Sequence, residues 1–226
     1  MTTALSPVIG RIGHEREPIV IIDGFSSDPA SLIEHAAGMS YTPLGPHYPG
    51  VRSPAKADYL GERMEVLQQV LTNVFGLVKG ADLIECNYSI VTTPPAALTP
   101  FQRLPHFDST EPENIALLHY MCEPSQGGTA FYRHRTSGFE TVSTSRLEDY
   151  SAMLQGEVEQ RGMPEADYVR EDTALFEQTY RVEAVFNRLV IYRGWSLHSG
   201  AIPQDLAFSA DPREGRLTIN TFLRAR

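Results

Sequence analysis

The sequence is short of several things, and each shortage rules something out. Only two of its 226 residues are cysteine, Cys86 and Cys122, too few for a disulfide-built secreted scaffold. Both lie in apolar stretches that read as strands. The expectation is two buried thiols in a reducing cytoplasm, although spacing alone leaves a bridge open. No apolar run approaches the roughly 18 residues of a membrane span. The start, Met1-Thr2-Thr3-Ala4-Leu5-Ser6-Pro7, has no basic stretch followed by an apolar core, so no secretory leader is expected. Positive charge is in deficit: 19 Lys and Arg stand against 28 Asp and Glu, for a net charge of -9. That balance argues against a phosphate-tracking surface and a nucleic-acid partner. Internal repeats, low-complexity segments and heptad seams are all missing, and the sequence leaves the oligomeric state open.

What is present is globular. Hydrophobic residues make up 42% and charged residues 21% of the chain, which excludes disorder, and the length suits one domain over 1–226. Pro18 to Asp23 is a short β-branched run that reads as a buried strand. Asp28 is placed to cap a helix with Pro29 at its first position and Ala30 to Ala37 as its body. Ser40 to Pro54, rich in proline and glycine, reads as loop. From Ala57 to Phe75 the residues Leu60, Met64, Leu67, Val70, Leu71 and Val74 keep helical spacing, with Gly76 as a cap. Leu83 to Thr92 alternates as a strand, and Thr93 to Pro105 is a proline-rich connection. Ile115 to Cys122 and Thr129 to Arg133 read as a hairpin around Pro124-Ser125-Gln126-Gly127-Gly128. Thr144 to Glu177 is an acidic insertion with Leu147, Tyr150, Met153, Leu154 and Val158 at helical spacing. Tyr180 to Phe186, Leu189 to Tyr192 and Leu217 to Leu223 return to strand. The expected class is α+β, mainly β: an antiparallel sandwich or jelly roll (double-stranded β-helix) with N-terminal supporting helices and a helical insertion at about 144–177.

The chemistry centres on His106-Phe107-Asp108. Successive strand side chains point to opposite faces, so His106 and Asp108 project together while Phe107 points away. A second histidine, His198, lies in Leu197-His198-Ser199-Gly200. Two imidazoles and a carboxylate can hold one face of a cation and leave the other open; the donors suit Fe(II), Mn or Zn without choosing among them. A lone His-x-Asp pair is usually just solvated, so the weight falls on the remaining pattern. Arg216 and Thr218 share a strand face with Asn220, and a guanidinium fork binds carboxylate in bidentate fashion.

The ordered pieces are His106-Phe107-Asp108, Ala116-Leu117-Leu118-His119-Tyr120, Gly127-Gly128-Thr129-Ala130-Phe131, Leu189-Val190-Ile191-Tyr192, His198 and Gly215-Arg216-Leu217-Thr218-Ile219-Asn220. Together they resemble the Fe(II)/2-oxoglutarate-dependent oxygenases, most closely the prolyl 4-hydroxylase-like branch, over most of the chain from Ile19 onward. The resemblance implies that His106, Asp108 and His198 hold catalytic Fe(II). It implies that Arg216, with Thr218 and Tyr120, binds the distal carboxylate of 2-oxoglutarate. It implies a dioxygenase that consumes O2, turns the cosubstrate into succinate and CO2, and oxidises a small-molecule or protein substrate. Halogenating relatives replace the carboxylate by a small residue, so Asp108 argues for hydroxylation.

Other residues carry weaker expectations. His14, His35, His47, His119 and His134 read as surface or core histidines. The insertion is a candidate lid over the site, or a decoration of the barrel. Arg133-His134-Arg135 reads as a solvated strand end or a contact for a substrate carboxylate, and Trp195 as a wall of the site or a packing residue. Two other classes stay open: a non-catalytic sandwich that binds a metal or small ligand, and a cupin-like metalloenzyme without 2-oxoglutarate. The metal triad argues against the first and Arg216-Leu217-Thr218 against the second.

Overall fold

A computed structural model describes residues 5–226; residues 1–4, part of the stretch read as carrying no secretory leader, lie outside them. Among the described residues ten strands and three α-helices follow one another as β1 (Val8–Ile12), β2 (Glu17–Ile22), α1 (Pro29–Ala37), β3 (Gly50–Pro54), α2 (Met64–Asn73), β4 (Ala81–Val91), β5 (Asn114–Tyr120), β6 (Gly128–His134), α3 (Leu147–Arg161), β7 (Phe176–Glu183), β8 (Arg188–Arg193), β9 (His198–Ala201) and β10 (Leu217–Ala225). All pairings are antiparallel. The large sheet runs β1-β2-β8-β5-β10-β4-β3, so the last strand occupies a central place; the small sheet runs β7-β6-β9. This is the mainly β jelly roll expected from the sequence. None of the described helices is long and apolar enough to cross a membrane.

Alternation sorts each strand between two faces. On β10, Leu217 and Ile219 point outward and pack with Tyr88, Ile90 and Ala36 of α1. On β5 and β8, Ile115, Leu117, Leu189 and Ile191 point outward against Leu67, Val70 and Leu71 of α2. The opposite face carries Ala116, Leu118, Tyr120, Val190 and Tyr192, which meet Phe131 and Val182 of the small sheet. Beyond the small sheet, Tyr132 and Phe176 pack under Tyr150, Leu154 and Val158 of α3. The layers are helices, large sheet, small sheet, helix. Helix α1 begins as its sequence predicts: Ser31 N–H donates to Asp28 Oδ1 at 3.1 Å, with Pro29 in the first turn. Cys86 and Cys122 are buried free thiols.

Four local expectations need correction. The stretch Ser40 to Pro54 is not all loop, because its end forms β3 against β4. Gly50 permits that approach: a Cβ there would sit 2.0 Å from the Ile90 carbonyl oxygen. The segments Ile115 to Cys122 and Thr129 to Arg133 are not a hairpin. They lie in different sheets, and the link crosses between them through a 3-10 turn, Pro124–Gln126, and Gly127 at φ 102°. A Cβ on Gly127 would meet the Ala201 carbonyl oxygen at 2.3 Å. The helix expected from Ala57 opens as a 3-10 helix, Ala57–Arg63, before α2. Strand β7 starts at Phe176, inside the stretch read as insertion.

Candidate metal and anion site

The two histidines meet because their backbones do. His106 N–H donates to the His198 carbonyl and His198 N–H donates to the His106 carbonyl, each at 2.8 Å. Such a reciprocal antiparallel pair puts both side chains on one side. Asp108 N–H donates to the Gly194 carbonyl at 2.7 Å, which ties the same loop to the turn before β9. The ring centres of His106 and His198 are 4.4 Å apart. Asp108 Oδ1 is 4.0 Å from His106 Nε2, and Asp108 Oδ2 is 3.6 Å from His198 Nε2. One donor atom from each of the three residues lies within 4.8 Å of the others. An ion with bonds of about 2.1 Å spans at most about 4.2 Å between opposite ligands, so a bound cation has to draw the side chains slightly inward.

His198 is oriented for that purpose. Its Nδ1 is 2.9 Å from the Ser196 carbonyl, so Nδ1 carries the proton and Nε2 presents the lone pair. The Tyr192 hydroxyl is 3.1 Å from Nε2 and must give way to a cation there. His106 stands half open at the cavity mouth. Its pKa is pushed well below the ordinary imidazole value, first by withdrawal from bulk water in the crevice and then by His198, His47 and Arg52. Withdrawal raises the Asp108 pKa, while His198 and Arg52 oppose the rise.

The facing wall comes from the large sheet. Tyr120 of β5, Thr218 of β10, Ser89 of β4 and Arg52 of β3 stand opposite one another in a row across four strands. Arg216 is buried with Nε donating to the Gln126 carbonyl at 3.0 Å and Nη2 to the Gly128 carbonyl at 2.8 Å. No carboxylate among the described residues pairs with it. Thr218 Oγ1 donates to Asn220 Oδ1 at 2.7 Å. Arg216, Thr218 and Asn220 line the cavity together with His106, Asp108 and His198; Val91, Leu118 and Ile202 supply apolar lining.

Tyr120 does not line that cavity. Its hydroxyl is 2.6 Å from Thr129 Oγ1, and Thr129 lines the wall instead. Three phenols do line it, those of Tyr48, Tyr168 and Tyr192, and the Tyr48 oxygen is buried without a hydrogen-bond partner. Burial pushes the Tyr48 pKa up to about 12. Sequence reasoning missed Tyr48 and Arg52, which line the cavity. The latter stands in a strand too short for alternation to register among its prolines.

The remaining candidates are placed plainly. Helix α3 lies on the far side of the small sheet, away from the cavity, but Tyr168 and Val169 after it line the rim. Arg133, His134 and Arg135 pair with Glu177, Glu157 and Asp172, so none is free for a substrate carboxylate. His35, His119 and His134 pack in protein, but His47 lines the cavity. Trp195 is partly buried and is not part of the lining.

Two layered antiparallel sheets with this cluster between them form a jelly roll. The chain is similar in structure to HygX from Streptomyces hygroscopicus, solved with nickel and 2-oxoglutarate bound, at 12% identity and TM-score 0.53 over 91% of this chain and 82% of HygX. Two structures are similar at lower scores. The non-heme alpha ketoglutarate dependent epimerase SnoN of nogalamycin biosynthesis is 14% identical, with TM-score 0.47 over 93% of this chain and 80% of SnoN. A Pseudomonas putida prolyl-4-hydroxylase is 13% identical, with TM-score 0.45 over 94% of this chain and 95% of that one. The chain belongs to the family DUF6445, a family of unknown function, whose model matches residues 4–223. No curated protein matches it.

Proposed function

We infer that the protein is a non-haem Fe(II)/2-oxoglutarate-dependent dioxygenase that hydroxylates a small-molecule or protein substrate. One observation carries the reading. The backbone-paired imidazoles of His106 and His198 share a cavity with the Asp108 carboxylate and with Arg216, a buried guanidinium that lacks an acidic partner. Two nitrogens and one carboxylate oxygen with an open side fit Fe(II). The unpartnered Tyr48 hydroxyl and the Thr218 hydroxyl, which line the cavity with Arg216, fit an anion held there. When bound, Fe(II) and 2-oxoglutarate supply O2 activation coupled to decarboxylation of the cosubstrate to succinate and CO2.

The chain's own residues do the rest. His106, Asp108 and His198 hold the cation, and the Ser196 carbonyl keeps the His198 lone pair aimed at it. Arg216 grips the distal carboxylate, with its guanidinium already fixed by two carbonyls. Val91, Leu118 and Ile202 keep water from the reacting centre. We assign the whole chain, 1–226, to this one domain, with about 144–177 as an insertion. The cytoplasm is the proposed location, on the reading of two buried thiols made from the sequence.

The test is anaerobic addition of Fe(II) and 2-oxoglutarate, followed by admission of air. A visible charge-transfer band and uncoupled succinate production are expected. Both should vanish in His106→Ala, and Arg216→Ala should need far more cosubstrate. A wild-type protein that binds neither Fe(II) nor 2-oxoglutarate ends the reading.

A further inference from the structure

Arg52 stands in the same cavity without an acceptor for its fork. Its backbone is pinned on one side by Thr42, which exchanges two hydrogen bonds with it at 2.8 and 3.0 Å, and on the other by β4. Its guanidinium lies against Tyr48, with Cζ 4.3 Å from the ring centre. It lines the cavity with His106 and Asp108, and its charge acts on both. Yet it donates no side-chain hydrogen bond among the described residues. Its nearest anion is Glu85, whose Oε1 is 3.5 Å from Nη1, and the Asn87 amide also donates to that oxygen. Arg52 Nε is closed off from solvent without an acceptor. A guanidinium withdrawn from water normally has its fork filled by carboxylate or carbonyl oxygens.

On the reading above, the cosubstrate does not fill that fork. One of its carboxylates goes to the metal and the other to Arg216. A divalent cation, Asp108, a dianionic diacid and Arg216 together cancel in charge. Arg52 is then a second cation in the cavity, answered only by a long contact to the half-exposed Glu85.

We propose that Arg52, stacked on Tyr48, anchors a carboxylate of the prime substrate, and that the substrate is a small organic acid such as a free amino acid or a monocarboxylic acid. The planar fork reads the planar anion, and β3 holds it at a fixed distance from the metal residues. Glu85 keeps the empty fork partly neutralised and is displaced when the acid arrives.

The proposal rests on the cosubstrate reading, and the experiment separates the two. Calorimetry on the anaerobic Fe(II) protein first measures 2-oxoglutarate binding. It then measures binding of the common L-amino acids and short monocarboxylic acids, each beside its uncharged amide. At least one acid should bind, its amide about tenfold or more weaker, and R52Q should lose the acid by a similar factor. R52K, which keeps the charge without the fork, should fall between. R52Q should hold 2-oxoglutarate within about threefold of wild type, while R216Q loses it. The proposal is overturned if R52Q weakens 2-oxoglutarate as much as R216Q does, or if acids and amides bind alike. It is also overturned if the 2-oxoglutarate-loaded wild type takes no acid. If wild type binds no 2-oxoglutarate, the cosubstrate reading falls, and the acid–amide comparison without it still decides the role of Arg52.

Discussion

On the small-sheet wall of the cavity the polar groups are held before any ligand comes. His106 and His198 are locked by their own backbones, and both ring nitrogens of His198 have partners. On the large-sheet wall Tyr48 and Arg52 each bury a polar atom without one, and the Arg216 guanidinium donates only to carbonyls. The first wall spends backbone hydrogen bonds on geometry. The second leaves donors unsatisfied, which costs stability that a bound anion returns. Precision matters for a cation with short directional bonds. Charge and spare donors matter for a carboxylate.

Removing a ligand from the ordered wall should have the largest effect. His198→Ala should abolish measurable Fe(II) binding by calorimetry while the far-ultraviolet dichroism stays native, because the pairing with His106 is made by backbone atoms. Retained tight binding would mean that the cation sits elsewhere.

A contrast between neighbours on β5 comes next. Leu117 faces α2 and Leu118 faces the cavity. Leu117→Ala should cost about 2–5 kcal/mol in denaturant unfolding and leave Fe(II) affinity unchanged. Leu118→Ala should cost less and disturb ligand binding more. Equal behaviour of the pair would erase the distinction between the faces.

Acid gives a related probe outside the cavity. His119 is fully buried on the helix side, its Nε2 2.9 Å from Asn187 Oδ1. Burial holds its pKa down to about 4, against the pull of Asn187 in the other direction. A histidine depressed in the folded state contributes fully above its unfolded pKa near 6.5 and loses that contribution as pH falls through about 4. The complete loss is about 3 kcal/mol. Denaturant unfolding between pH 7 and pH 4 should show this fall, and His119→Asn should flatten it.

The orphaned wall predicts a trade. Arg216→Met should leave the unliganded protein as stable or more so, since a lone buried charge is removed. It should also lose the rise in Tm that saturating 2-oxoglutarate gives, about 2.7 kcal/mol at a hundredfold excess over Kd. A drop in the unliganded Tm would show that the carbonyl contacts of Arg216 outweigh its desolvation. The smallest effect belongs to Asp28→Ala, far from both walls, at about 1 kcal/mol for a lost helix cap.

The sequence disclosed the ordered wall well and the orphaned wall only in part. Arg216 and Thr218 were legible because they stand two residues apart at the start of β10, where strand alternation puts such a pair on one face; His106 and Asp108 share that spacing, although only His106 makes a β-bridge and Asp108 sits in a bend. The cap at Asp28 was legible because capping is local. Arg52 was not, since β3 is a short edge strand whose existence depends on β4, a partner supplied by tertiary structure, and Tyr48 stands just before it in loop. The crossing at Gly127 was misread for the same reason. A glycine turn between two apolar runs looks like a hairpin unless the sheets that claim each run are known. Tyr120 was expected on the cosubstrate carboxylate, yet its hydroxyl is taken by Thr129 outside the cavity lining, and no pattern in the sequence announces such a pairing.

The central slot of the large sheet is filled by its last strand, β10, between β5 and β4. During synthesis those two strands emerge long before their shared neighbour, and until it arrives each presents a bare edge able to pair with another chain. The moment of greatest aggregation risk therefore falls just before β10 arrives, and a chaperone that shields an unfilled sheet would help this protein most in that interval.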